Sequence, residues 1–206
     1  MQYDSISWQR AWEFPAFRTK LIIGLIIMLG ILIYVPDFFL YIQNRPGTQI
    51  QDEVLNSLPR KDVSNYIFLL LYPFTALVIW RMVEKTTFCI TALWSYIFLC
   101  IGRTISIYFV PLDPPTGLVH LQDPFSVFFY GTEMITKDLF FSGHTATLFL
   151  IALCLERKWE KRLAFVATAI LAVLLLVQRV HYTADIIAAP FFSYLFWHLG
   201  RMVAKQ

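Results

Sequence analysis

Six stretches of the chain are almost free of charge: Leu21–Ile42, Tyr66–Trp80, Phe88–Ile101, Leu139–Leu155, Leu163–Val177 and Ile186–Gly200. Nothing else in the sequence restricts the fold as strongly. Backbone inside a bilayer has no water to bond to, so it must satisfy its own N–H and C=O groups, and a helix does this within one segment. A spanning helix takes about 20 residues, so the shorter stretches borrow flanking residues such as Trp80 and Trp159. Of 206 residues, 58% are hydrophobic and 15% charged, against about a quarter charged in a soluble domain. The 19 Phe, 10 Tyr and 6 Trp gather largely at stretch ends, where amphipathic rings favour the headgroup layer. These features predict an all-α fold, a six-transmembrane helical bundle, as a single integral membrane domain over residues 1–206. Residues 1–20 then form a cytoplasmic N-terminal segment and residues 21–200 the six-helix core. Met1 to Lys20 is polar and aromatic with no cleavage site after the first stretch, so that stretch is expected to stay as a helix.

Orientation follows from the basic residues. With the N-terminus inside, the cytoplasmic segments hold Arg10, Arg18, Lys20, Arg81, Lys85, Arg157, Lys158, Lys161, Arg162, Arg201 and Lys205. The other side holds Arg45, Arg60, Lys61, Arg103, Lys137 and Arg179. Eleven of the 17 basic residues therefore favour a multi-pass protein with both termini cytoplasmic. The net charge of +3 gives no reason to expect nucleic acid. Cys89, Cys100 and Cys154 all lie in apolar runs and read as small buried hydrophobes. Pro73 should kink the second helix. The connection from Arg103 to Asp138 contains Pro111, Pro114, Pro115 and Pro124 and the apolar run 125–130, and reads as an ordered surface loop or a partly embedded lid. The 43–65 connection is polar, with a short amphipathic piece.

Against this background the ionisable residues near helix starts stand out, because such groups are costly in a membrane and usually functional. His181 and Asp185 are four residues apart, one helical turn, so their side chains can meet. A carboxylate on one ring nitrogen fixes the tautomer and raises the basicity of the other. The plain alternative is a polar pair joining helices. Ser142 reads as an N-cap and Gly143 as a position of close approach, a combination that makes an anion site at a helix start. His144 then sits where it can protonate a leaving alkoxide; the alternative is a capped helix with a satisfied histidine. Arg103, Arg179 and Lys137 are candidates to neutralise phosphate oxygens, the arginines as bidentate forks, or else they snorkel to the interface. Asp138 orients a histidine or favours a helix N-terminus, and Asp37 lines the mouth of the first helix. His120 and His198 carry no assignment. A metal held by His144, His181 and Asp185 is disfavoured by the arginines beside them.

At these residues the chain resembles the type 2 phosphatidic acid phosphatase superfamily of lipid phosphatases and phosphotransferases, and within it the sphingomyelin synthase branch. Val35-Pro36-Asp37 is similar to the first box of that branch, and Arg103-Thr104-Ile105-Ser106-Ile107-Tyr108 to the second. Asp138-Leu139-Phe140-Phe141-Ser142-Gly143-His144-Thr145 closely matches the third, and His181-Tyr182-Thr183-Ala184-Asp185-Ile186 the fourth. The soluble phosphatase pattern has an arginine six residues before the second histidine; here Leu175 stands there, which favours the synthase-like branch. Thr136-Lys137 replaces the usual cysteine-glycine, and Gly102 precedes Arg103 where a paired arginine is usual.

The resemblance implies a phosphotransferase acting on phospholipids on the non-cytoplasmic face, with no metal and no organic cofactor. His181, held by Asp185, attacks phosphorus, His144 protonates the departing lipid, and Arg103, Arg179, Ser142, Gly143 and Lys137 hold the phosphate. The implied partners are a phospholipid donor and a lipid alcohol acceptor, ceramide or diacylglycerol, and a homo-oligomer is compatible with the sequence. A lipid phosphate phosphatase and a non-catalytic lipid-binding or lipid-transport protein are the alternatives.

Overall fold

The computed structural model describes residues 7–121 and 135–205. The apolar run 125–130, read above as part of a loop or lid, lies outside the described residues. Eight helices occur among those described: α1 (Trp8–Glu13), α2 (Pro15–Asn44), α3 (Glu53–Ser57), α4 (Ser64–Glu84), α5 (Thr86–Phe109), α6 (Gly143–Cys154), α7 (Lys158–Val177) and α8 (Thr183–Lys205). The molecule is all-α, and the only β pairing among the described residues is an isolated parallel bridge between Thr48 and Leu112.

Local signals explain where the helices begin. Ser7 caps α1, accepting from the Arg10 N–H, and Pro15 opens α2 at a position where its missing N–H costs nothing. Asp52 caps α3 through the Leu55 N–H, and Ser142 caps α6 through the Thr145 N–H. Pro36, Pro73 and Pro190 lie inside α2, α4 and α8, and each helix continues through its proline. The 43–65 connection, expected to carry a short amphipathic piece, holds the five-residue α3, of which only Leu55 is buried.

Four helices, α2, α4, α5 and α8, are long and apolar enough to cross a membrane. The other two apolar stretches differ from expectation. Leu163–Val177 is the greater part of α7, whose first turn carries Lys158, Glu160, Lys161 and Arg162. Leu139–Leu155 is not one helix. Its first four residues are not helical and bend at Phe140 and Phe141, and α6 proper has 12 residues, about 18 Å at 1.5 Å per residue, short of the hydrocarbon thickness. The non-helical part is lined with protein: Leu139, Phe141 and Ser142 are almost completely buried, the condition under which irregular backbone is tolerated at membrane depth. His144 is therefore the second residue of a helix and not a full turn inside one.

Helices α2, α4, α6 and α8 pack against α5, whose apolar stretch is half buried, against 11–28% for those of the other three long helices, and α7 packs on α4 and α6. Small residues make this possible. Ala189, Ser193, Gly200 and Ala204 of α8 are buried, Gly200 lies against Ser95 of α5, and the Phe196 ring lies on Gly102. Close backbone approach of this kind is how membrane helices gain contact where lipid gives no hydrophobic drive. The Ser193 hydroxyl reaches the Ala146 carbonyl at 3.0 Å, linking α8 to α6. A second apolar cluster joins α4, α6 and α7 through Ile67, Leu148, Ile151, Ala167 and Leu171. The outward faces of α2 and α4 expose Leu25, Ile26, Ile33, Leu69 and Ile79, as lipid-facing surfaces should.

One end of the bundle is tied by charge. Buried Glu160 at the start of α7 pairs with Arg81 at the end of α4, Arg81 also pairs with Glu84, and Lys85 pairs with Glu156. The Trp8 indole donates to the Val83 carbonyl there at 2.6 Å, fixing α1 across the same end. The candidate site occupies the opposite end.

Candidate active site

The end of α5, the start of α6, the end of α7 and the start of α8 converge at that opposite end. The turn before α8 is the centre. His181 Nδ1 lies 3.3 Å from Asp185 Oδ2, and both side chains are at least 95% buried. A carboxylate only accepts, so the contact selects the ring tautomer with a proton on Nδ1. The same Asp185 oxygen accepts from the Tyr182 N–H at 3.0 Å. His181 itself precedes α8, so the pair is made across the helix start and not by one turn within it. Asp185 reaches back to the residue preceding the helix, as an acidic third residue does in a capping box.

The second histidine is brought close by backbone. The Ser142 N–H donates to the Asp185 carbonyl at 3.1 Å, so α6 and α8 begin side by side. His144, partly buried, follows two residues later, with the Phe68 ring of α4 edge-on at 6.2 Å between centroids. Phe140, just ahead of the turn, has a positive φ of 89°, a costly conformation for a bulky residue and one that tends to collect at functional sites.

Arg103 of α5 lies under this turn. Its guanidinium pairs with Asp138 and donates to the Phe141 carbonyl, and it sits 5.4 Å from the Phe141 ring centroid. A Cβ at position 143 would stand 2.6 Å from its Cζ, so glycine is needed for the approach. Arg103 and Asp138, read separately from the sequence, are thus one ion pair supporting the Ser142–Gly143 start of α6.

Arg179 and Lys137 stand further out. Arg179 follows α7 in the left-handed region, with φ 57°. Val180 N–H bonds to Leu175 O and Arg179 N–H to Leu176 O, a Schellman ending whose special position is usually glycine. Its guanidinium donates to the Thr116 and Leu58 carbonyls at 3.1 and 3.4 Å. Lys137 pairs with Asp113 at 2.8 Å and donates to the Arg45 carbonyl at 2.6 Å. Asp37 is exposed on α2, and no hydrogen bond or ion pair among the described residues joins it to the cluster. Among the described residues no three of His, Cys, Asp or Glu are grouped to hold a metal ion.

Several contributors are not evident from the motifs. Asp52, capping α3, also accepts from the Thr183 N–H at 2.6 Å and the Thr183 hydroxyl at 3.0 Å. Burial alone would raise its carboxyl, but the N–H groups of Leu55 and Thr183 outweigh that and hold it below the usual value. The buried Tyr182 hydroxyl donates to the Asp113 carbonyl at 2.9 Å and accepts from the Ile50 N–H at 3.3 Å. Fully buried Gln178 bonds Asp62, Ser64 and the His120 carbonyl through its amide nitrogen, and its oxygen accepts from Val63 N–H. A cavity of about 380 Å³ opens between Gln49–Asp52, Asn56, Thr116 and Tyr182; it adjoins the back of the His181 turn, and neither histidine lines it. The sequence signal for Asp52 is local, an acidic cap ahead of Glu53-Val54-Leu55, and says nothing of its distant partner.

No curated protein matches the chain. Residues 137–202, which carry both histidines, Asp185 and helices α6 to α8, match the family model described as PAP2 superfamily C-terminal, and this supports a place for the chain among the lipid phosphatases and phosphotransferases of the type 2 phosphatidic acid phosphatase superfamily.

Proposed function

We propose that this integral membrane protein transfers a phospho-head group from a glycerophospholipid to a lipid alcohol, ceramide or diacylglycerol, at the non-cytoplasmic face, in the manner of a sphingomyelin synthase. One observation carries the reading: the His181 imidazole is held by Asp185 at 3.3 Å at the start of α8, and the start of α6 bearing His144 is hydrogen-bonded to that same residue.

In the first step His181 Nε2 forms a bond to phosphorus while the bond from phosphorus to the diacylglycerol oxygen breaks, and His144 gives that oxygen a proton. Asp185 stabilises the positive charge that gathers on the imidazole. In the second step the acceptor hydroxyl attacks phosphorus, its proton returns to His144, and the bond from nitrogen to phosphorus breaks. The positive end of the α6 dipole, at Gly143, faces the phosphate oxygens in this reading. Arg103 supports that helix start through Phe141 and Asp138, and Lys137 and Arg179 stand at the rim.

Transfer is favoured over hydrolysis because Leu175, fully buried in α7, occupies the position at which the phosphatase pattern has arginine. The test is a product ratio. Labelled phosphatidylcholine or phosphatidylethanolamine is supplied with ceramide, and phospho-head-group ceramide is measured against free phosphorylated head group. Transfer product should dominate. Free head group alone across several acceptors, or inorganic phosphate from phosphatidic acid, would assign the chain to the phosphatases instead.

A further inference from the structure

We infer that Asp52, from the segment between α2 and α4, is a positioning residue for the His181–Asp185 pair: it caps α8 from outside and thereby leaves the Asp185 carboxylate to the imidazole. The inference rests on His181 being the nucleophile. Helix α8 starts at Thr183, and the preceding residue is Tyr182, whose side chain cannot cap and whose hydroxyl is bonded elsewhere. The first N–H groups of a helix have no partner within it and need an acceptor. Two acceptors are in reach. Asp185 takes the Tyr182 N–H and the His181 Nδ1–H on one oxygen. Asp52 takes the Thr183 N–H and hydroxyl, while its place in the chain is fixed by the Leu55 N–H.

Without Asp52 the Thr183 N–H loses its acceptor at a part-buried helix start, and the other carboxylate at that start belongs to Asp185. That side chain is short. Turning it toward Thr183 weakens its bond to His181, and the imidazole loses the partner that fixes its tautomer. The segment is held in place by further contacts: Tyr182 accepts from Ile50 N–H, and Thr48 exchanges backbone bonds with Pro111 and Asp113 at 3.0 and 3.1 Å. Asp52 is thus presented to α8 by a braced loop.

The experiment compares Asp52→Ala, Thr183→Pro and the double variant. Proline is well suited to the first position of a helix and has no N–H to be capped, so it removes the orphan that Asp52 satisfies. Two readouts are taken on purified protein: the ¹⁵N shifts of the His181 imidazole, and kcat and KM on a short-chain phospholipid. Asp52→Ala should lose the single Nδ1–H tautomer, and kcat should fall by about 10²-fold with KM little changed, the scale of a small misplacement of a reacting group. Thr183→Pro combined with Asp52→Ala should recover the parent tautomer and most of kcat, and should fold even where the single variant does not. A double variant as impaired as Asp52→Ala, or an Asp52→Ala protein with the parent tautomer, overturns the inference. A parent protein inactive on every phosphate ester, with the tautomer responding as described, would instead remove the catalytic reading and leave the positioning intact.

Discussion

At the scale of single residues, the two histidines are expected to separate by substrate. His181→Ala should abolish turnover in a labelled-phospholipid assay, since it removes the covalent path, and a near-normal rate would rule out that path. Asp185→Ala should leave a trace, because it removes the orienting carboxylate and not the nucleophile; loss of a comparable aspartate in other triads costs about 10⁴-fold. His144→Ala should cost about 10²–10⁴-fold on a phospholipid, the range for general acid catalysis, and far less on an aryl phosphate whose leaving group needs no proton. Equal losses on both would assign His144 to binding. Gly143→Ala tests the packing beneath. Its Cβ would meet the Arg103 guanidinium at 2.6 Å, so the arginine must leave Asp138 and the Phe141 carbonyl. A loss of about 1–3 kcal/mol, typical of overpacking, should appear as a lower melting temperature in detergent, and unchanged stability would show that Arg103 moves freely.

At the scale of elements, the helix starts and stops at the site are held by partners remote in sequence. Asp52 serves α8, and Asp62 with Gln178 ties the start of α4 to the end of α7. N–H and hydroxyl groups hold both carboxyls below the ordinary value, at Asp62 chiefly those of Ser64. A carboxyl lowered on folding stabilises the fold fully above its unfolded value, about 3.9, and that contribution is lost as pH falls through the lower folded value. The stability gap between parent and Asp52→Asn or Asp62→Asn should therefore be constant from neutral pH down to about 5 and shrink below about 4. Thermal melts across that range measure it; a gap that widens in acid would reverse the sign and show that these carboxyls are neutral in the fold. Arg179 presents the opposite case. A left-handed residue other than glycine costs about 1–2 kcal/mol, so Arg179→Gly should relax the Schellman ending. It also frees the Thr116 and Leu58 carbonyls, and activity should fall with little change in melting temperature.

For the whole molecule, the charged end built from Arg81, Glu84, Lys85, Glu156 and Glu160 and the end bearing His144 and His181 lie at opposite ends of α4 and α7. Together with the excess of basic residues at the first end, this supports an inside N-terminus. Cysteines introduced at Gln49 or Thr116 should react with an impermeant reagent added outside, and one at Lys158 should not. Labelling at Lys158 from outside would invert the topology. The same experiment bears on the number of spans, because α6 is short and α7 begins with four charged residues, so six crossings need both to traverse together with the buried backbone ahead of α6.

The sequence by itself determined the all-helical membrane character and the paired motifs, because both are local. A long apolar run without charge satisfies its backbone in lipid within its own segment only as a helix, and His181 with Asp185, or Ser142 with Gly143, act over about one turn. Only the tertiary structure decided that Leu139–Leu155 divides into irregular, bent backbone and a 12-residue helix. An apolar run reads alike whether it faces lipid or lines a protein interior. Likewise Arg103 meets Asp138 and the Gly143 turn across 35 and 40 positions of sequence, and Asp52 meets Thr183 across 131. Hydropathy and spacing carry no record of such pairings. They arise where α5, α6 and α8 pack closely enough on small residues for distant donors and carboxylates to satisfy one another.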